Sequence, residues 1–165
     1  MRIVQLSDLH FGPAFVHEAG EGLIRFLQSQ PPDIVVITGD LTQRAKKIQF
    51  AQAKEFLSRI PATSKTMIVP GNHDIPLYRF WERFLSPYRY YQRYISMEKD
   101  FYHHTESVAI AGVDTTHPFY RLKNGRFGND QLEYCRKKFE SAPASATRMV
   151  AMHHPLFHKN EALNS

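Results

Sequence analysis

Short, continuous apolar runs alternate along this chain with longer stretches whose apolar residues recur at helical spacing. "RIVQL" (residues 2–6) reads as a strand, followed by a loop through Gly12 and Pro13 and a helical stretch over about 16–30. "DIVVIT" (33–38) is rich in β-branched residues, the composition of a strand covered on both faces. Residues 48–60 return to a helical period, and "TMIVP" (66–70) predicts a third strand. Then come an Arg/Tyr-rich segment over 78–93, read as one amphipathic helix with its arginines in water, and two strands joined by a turn near 105–107. A helix over 129–141 and a last strand over 147–155 complete the pattern. Buried strands separated by helices predict a layered α/β fold in one domain.

Composition changes this picture little. Apolar residues make up 42% and charged residues 22% of 165, an ordinary globular mixture. No apolar run approaches the roughly 20 residues of a membrane span, so neither a span nor a membrane partner is expected. The N-terminus lacks the pattern of a signal peptide, and the single cysteine, Cys135, suits a reducing compartment; both point to the cytoplasm. A net charge of +5 favours anionic partners, and nucleic acid stays open among them without a motif to support it.

The ends of the strands carry the chemistry. Asp8 and His10 follow the first, Asp40 the second, and Asn72, His73 and Asp74 the third; His153 and His154 close the last. In α/β sheets the carboxyl ends of the strands open into a shared crevice where ligands bind. An extended backbone over 8–10 would point Asp8 and His10 to one side. Gly39 and Gly71 would supply backbone angles that other residues resist. Carboxylate, imidazole and amide oxygen without thiolate suit Mn²⁺, Fe, Zn²⁺ or Mg²⁺ rather than a structural zinc site.

Together "DLH" (8–10), "GDLTQR" (39–44), "GNHD" (71–74) and "MHHP" (152–155) resemble the calcineurin-like metallophosphoesterase signature, most of all its bacterial class III cyclic-nucleotide phosphodiesterase branch. The resemblance implies a β-sandwich flanked by helices, α/β/β/α, and two divalent metal ions. Asp8 and His10 would bind one, Asn72 and His153 the other, and Asp40 both. It further implies that His73 serves the leaving group, that Asp74 orients His73, and that Arg44 matches an arginine some branches place after the Gly-Asp motif. The implied function is phosphoester hydrolysis, specifically of phosphodiesters, by a metal-bridging hydroxide, with a small-molecule or nucleotide phosphoester as substrate. A binding or scaffold module with impaired catalysis and a nuclease are the alternatives.

The family pattern continues to a Gly-His-x-His motif that this sequence does not contain. The expectation is therefore a fold incomplete on its C-terminal side, with an open sheet edge through which copies could associate. His17, His103, His104, His117 and His158 are not assigned to metal, and Cys135 is read as a packed helical residue.

Overall fold

The β-branched runs become the centres of two sheets in a computed structural model that describes residues 1–119 and 125–156. Strands β1 (Ile3–Leu6), β2 (Ile34–Thr38) and β3 (Lys65–Val69) form a parallel sheet in the order β1-β2-β3. Strands β4 (Phe101–His104), β5 (Val108–Gly112) and β6 (Thr147–Ala151) form the second, with β4–β5 antiparallel and β5–β6 parallel. Helices α1 (His17–Ser29) and α2 (Lys47–Leu57) cover the first sheet, and α5 (Asn129–Glu140) covers the second.

The period of two along each central strand explains the layers. On β2, Val35 and Ile37 enter the core shared with Ile24 and Leu27 of α1 and Phe50 of α2. The intervening Ile34 and Val36 face Met67, Val108 and Ile110 between the sheets. On the α5 side, Ala111 and Val113 meet Cys135. A strand apolar on both faces needs a layer on each, and this chain supplies helix, sheet, sheet and helix, the expected α/β/β/α arrangement. Full burial of each large side chain here contributes about 1.5–3 kcal/mol. Cys135 is packed as expected, and burial pushes its thiol above the usual range. Among the described residues no helix is long and apolar enough to cross a membrane.

The Arg/Tyr-rich segment departs from expectation. It is two six-residue helices, α3 (Phe80–Leu85) and α4 (Arg89–Tyr94). The break falls at Pro87, whose ring excludes the helical conformation from the residue before it and removes an amide donor. Tyr91 of α4 is fully buried beside Phe50 and donates to the Ile68 carbonyl at 3.2 Å. Nor do all the arginines face water. Arg83 is buried and donates to the carbonyls of Pro118 and Pro76, while Arg79 reaches those of Arg44 and Ala45.

Candidate metal centre

Beyond the strand ends the backbones stay in register. Asp8 N–H donates to Gly39 O, His10 N–H to Asp40 O and Phe11 N–H to Leu41 O, so the loop after β1 runs beside the loop after β2. Asp8, His10 and Asp40 lie in the left-handed region, with φ of 57°, 49° and 53°. The extended geometry expected over 8–10 is thus wrong. Each residue turns sharply where its polar side chain leaves the sheet. Left-handed φ in a residue with a Cβ costs of order 1 kcal/mol or more, and such residues gather at functional sites.

Gly39, at φ 85°, makes the turn that any other residue would resist. A Cβ on it would also lie 2.6 Å from the amide nitrogen of Gly71. Gly71 is needed for another reason. Its φ of −109° is ordinary, contrary to the expectation of a special angle, but a Cβ there would strike the Asp40 carboxylate and amide. Two bare backbones meeting face to face bring Asp40 and Asn72 together.

A buried carboxylate locks this meeting. Asp74 accepts from the amides of Thr42 (2.9 Å), Leu41 (3.2 Å) and Gly71 (3.0 Å), and the Thr42 hydroxyl lies 3.1 Å from it. Burial and the nearby Asp40 charge push Asp74 up to about 6. Asp74 therefore ties the two loops together; the family resemblance implies that it orients the His73 ring, and the hydrogen bonds do not bear that out. The His73 ring nitrogen Nδ1 instead donates to the Gln43 carbonyl at 2.7 Å, which leaves Nε2 for other partners.

The side chains converge on Asp40, which is 3% exposed. His10, Asp40 and His73 can each bring a ligand atom within 4.8 Å of the others, and so can Asp8, Asp40 and His153. His153 Nδ1 donates to the Thr38 carbonyl, which turns Nε2 toward Asp40 Oδ1 (3.4 Å) and Asn72 Oδ1 (3.1 Å). His10 Nε2 stands 3.5 Å from Asp8 and 3.7 Å from Asp40, while its buried Nδ1 has no hydrogen-bond partner. An imidazole held this way is poorly satisfied by the protein alone. A cation between it and the two carboxylates would satisfy Nε2, and the hard oxygen-and-imidazole donor set fits a divalent ion.

Charge coupling makes a prediction. Burial raises the Asp40 carboxyl, but the His153 hydrogen bond and charge and the His73 amide outweigh it and hold Asp40 below its usual range. Burial likewise lowers His153, but the hydrogen bond and charge of Asp40 overcome this and raise it to about 9. The metal-free chain thus carries a protonated His153 at neutral pH, whereas a ligating imidazole must be neutral. Metal uptake at pH 7–8 is expected to release about one proton, and the apparent affinity to rise about tenfold per pH unit until about pH 9. Calorimetric titration in buffers of different ionisation enthalpy measures that proton; a buffer-independent heat would refute the coupling.

The calcineurin-like phosphoesterase profile matches residues 1–164, across every element described above. The chain belongs to the calcineurin-like phosphoesterase family. A UDP-2,3-diacylglucosamine pyrophosphatase, LpxG of Chlamydia trachomatis, is 37% identical over 78 residues, which cover 47% of this chain and 24% of that protein. A transmembrane protein with metallophosphoesterase domain from Danio rerio is 32% identical over 74 residues, 45% of this chain and 17% of that protein. The uncharacterized metallophosphoesterase YkuE of Bacillus subtilis is 32% identical over 74 residues, 44% of this chain and 26% of that protein. The chain thus spans about a quarter or less of the length of these curated relatives.

Within this calcineurin-like frame, two residues lie apart from the cluster. The exposed guanidinium of Arg44 sits over the Tyr78 ring, 5.4 Å from its centroid. His154 is buried against Thr115, with Nδ1 and Oγ1 2.8 Å apart. His158 lies outside the described residues. Sequence reasoning missed Thr38, Gln43 and Thr42. The first two act through main-chain carbonyls, which every residue type supplies, so their side chains gave no signal. The Thr42 hydroxyl, within 3.0 Å of both the His73 carbonyl and the Ala45 amide, was legible only as part of "GDLT".

Proposed function

We propose that the chain carries the hydrolytic site of a metal-dependent phosphoesterase that cleaves phosphodiester bonds with two divalent cations. The observation that carries this reading is Asp40, the one carboxylate common to both candidate ligand groups. By the family resemblance, and not by those two groupings, which pair His10 with His73 and Asp8 with His153, Asp8, His10 and Asp40 would hold one cation, and Asp40, Asn72 and His153 the other. Bound there, such cations supply Lewis-acid charge to phosphoryl oxygens and acidify a bound water. The chain's own groups do the rest. The Thr38 and Gln43 carbonyls fix the tautomers of His153 and His73. The Asp40 carboxylate accepts the His73 amide at 2.8 Å, so the shared ligand and the imidazole are set by one contact. His73 Nε2 is the group to hold a proton for the departing oxygen. Arg44, next to Gln43 in the chain, would bind the non-reacting part of the ester if its exposed guanidinium left the Tyr78 ring. The pyrophosphatase named among the relatives makes a phosphoanhydride the second substrate to try.

The test compares an aryl phosphodiester, an alkyl phosphodiester and a pyrophosphate diester, each with Mn²⁺ and with chelator. Turnover should require the metal. His73→Gln should slow the alkyl ester by about a hundredfold and the aryl ester much less, because only a basic leaving oxygen needs the proton. Equal losses on both would remove His73 from that role. Folded, metal-loaded protein that turns over none of the three would leave a binding module.

A further inference from the structure

α3 is held inside out. Its residues Phe80, Trp81, Phe84 and Leu85 fall at i, i+1, i+4 and i+5, a single face of one and a half turns. That face points away from the protein: Trp81 is 74% exposed and Leu85 79%. The charged face points inward. Arg83 is buried on the carbonyls of Pro118 and Pro76, and Arg79 is fastened to the carbonyls of Arg44 and Ala45 and to Glu82. Water would favour the opposite arrangement, because arginine is well solvated and tryptophan is not. The apolar face continues through ring contacts from Phe80 to Trp81 and Phe84, and from Phe84 to the exposed Phe119. Exposed Tyr78 extends it toward Arg44. Scattered apolar residues on a surface are normal, but a contiguous aromatic patch marks a contact surface.

We propose that this patch docks on an anionic lipid bilayer. Its mixture of Trp, Tyr, Phe and Leu suits the boundary between acyl chains and headgroups. The charge beside it selects the sign. Arg44, Lys46 and Lys47, in the segment that Arg79 binds, and Arg89 and Arg93, in the helix that follows α3, are all exposed, and the one acid between residues 75 and 94, Glu82, is paired with Arg79. Cations beside an apolar face are drawn to acidic lipid. The same cations disfavour a second copy of this basic chain as the occupant, since like charges would meet across the contact. The contact is a surface one and needs no span. It departs from the expectation of no membrane partner, because an interfacial patch needs no long apolar run. Because Arg79 ties α3 to the loop of Asp40, docking holds the rim of the metal crevice at the lipid surface.

Trp81 is the chain's single tryptophan, so its fluorescence reports on this patch alone. Added phosphatidylglycerol-containing vesicles should shift its emission to the blue and protect it from acrylamide. Pure phosphatidylcholine vesicles should do so less, and salt should weaken the response. The double variant Phe80→Ser/Leu85→Ser, which keeps the reporter, should partition about tenfold more weakly with an unchanged melting temperature. Emission indifferent to anionic vesicles overturns the proposal, as does a double variant that binds like the parent. A blue shift that instead follows protein concentration without lipid gives the patch to a second copy, and overturns it too. None of these readouts requires hydrolysis, so failure here is separable from failure of the hydrolytic reading.

Discussion

Asp40→Ala is expected to lower metal-dependent phosphoester turnover by on the order of a thousandfold or more. Loss of a group that merely supports a metal ligand already costs about 10–100-fold, and Asp40 is common to both candidate ligand groups. The alanine also removes the acceptor of the His73 amide, which could disturb the loop by itself. Asp40→Asn separates the two effects. It retains an oxygen for that amide but loses the charge a bound cation would need, so the fold should survive while turnover does not. His153 gives an independent readout. Asp40 is what raises that imidazole to about 9, so in the Asn variant its titration, followed by NMR, should move down toward the ordinary histidine range. An Asn variant with near-parental turnover would show that Asp40 is structural only.

Asp74→Ala should destabilise the fold by about 3 kcal/mol or more, read as a lowered midpoint in denaturant. It leaves buried donors at Thr42, Leu41 and Gly71 with no acceptor, each worth about 1–3 kcal/mol. One effect opposes this: burial and Asp40 make the Asp74 charge unfavourable, and its removal relieves that repulsion. The donors win because three buried amides stand against one partly offset charge, while the Thr42 hydroxyl keeps the His73 carbonyl as its acceptor. Asp74→Asn restores one acceptor oxygen but turns an amide toward donors, so it should recover only part of the loss. Metal affinity should fall with stability, since the same carboxylate holds the Asp40 and Asn72 loops together. Had Asp74 been the orienting partner of His73, these variants would slow the leaving-group step at unchanged stability. That pattern would overturn the present assignment.

The two apolar faces of β2 show how far pattern reading reaches. Residues 34–38 are buried throughout, and a strand with no polar face can sit only between two layers, so the layered α/β class followed from composition and period alone. The four polar motifs were equally legible, because carboxylate, imidazole and amide are properties of side chains and their order along the chain is visible. The break at Pro87 was legible too, but the strong arginine and aromatic pattern on both sides hid it.

What the sequence by itself determined is which strands would form, which faces they would bury and that carboxylate, imidazole and amide side chains would stand at their ends. The tertiary structure alone decided how those ends meet. Asp40 and Asp74 are more than thirty residues apart, and nothing local says that one carboxylate joins both groups of candidate ligand atoms while the other is sealed against three amides. The partners of His73 and His153 are backbone carbonyls, chemically identical at every position, so their choice is invisible until the chain is folded. The outward turn of Trp81 likewise arises because Arg79 and Arg83 find distant carbonyls to bind, contacts that reverse the orientation an isolated helix would take.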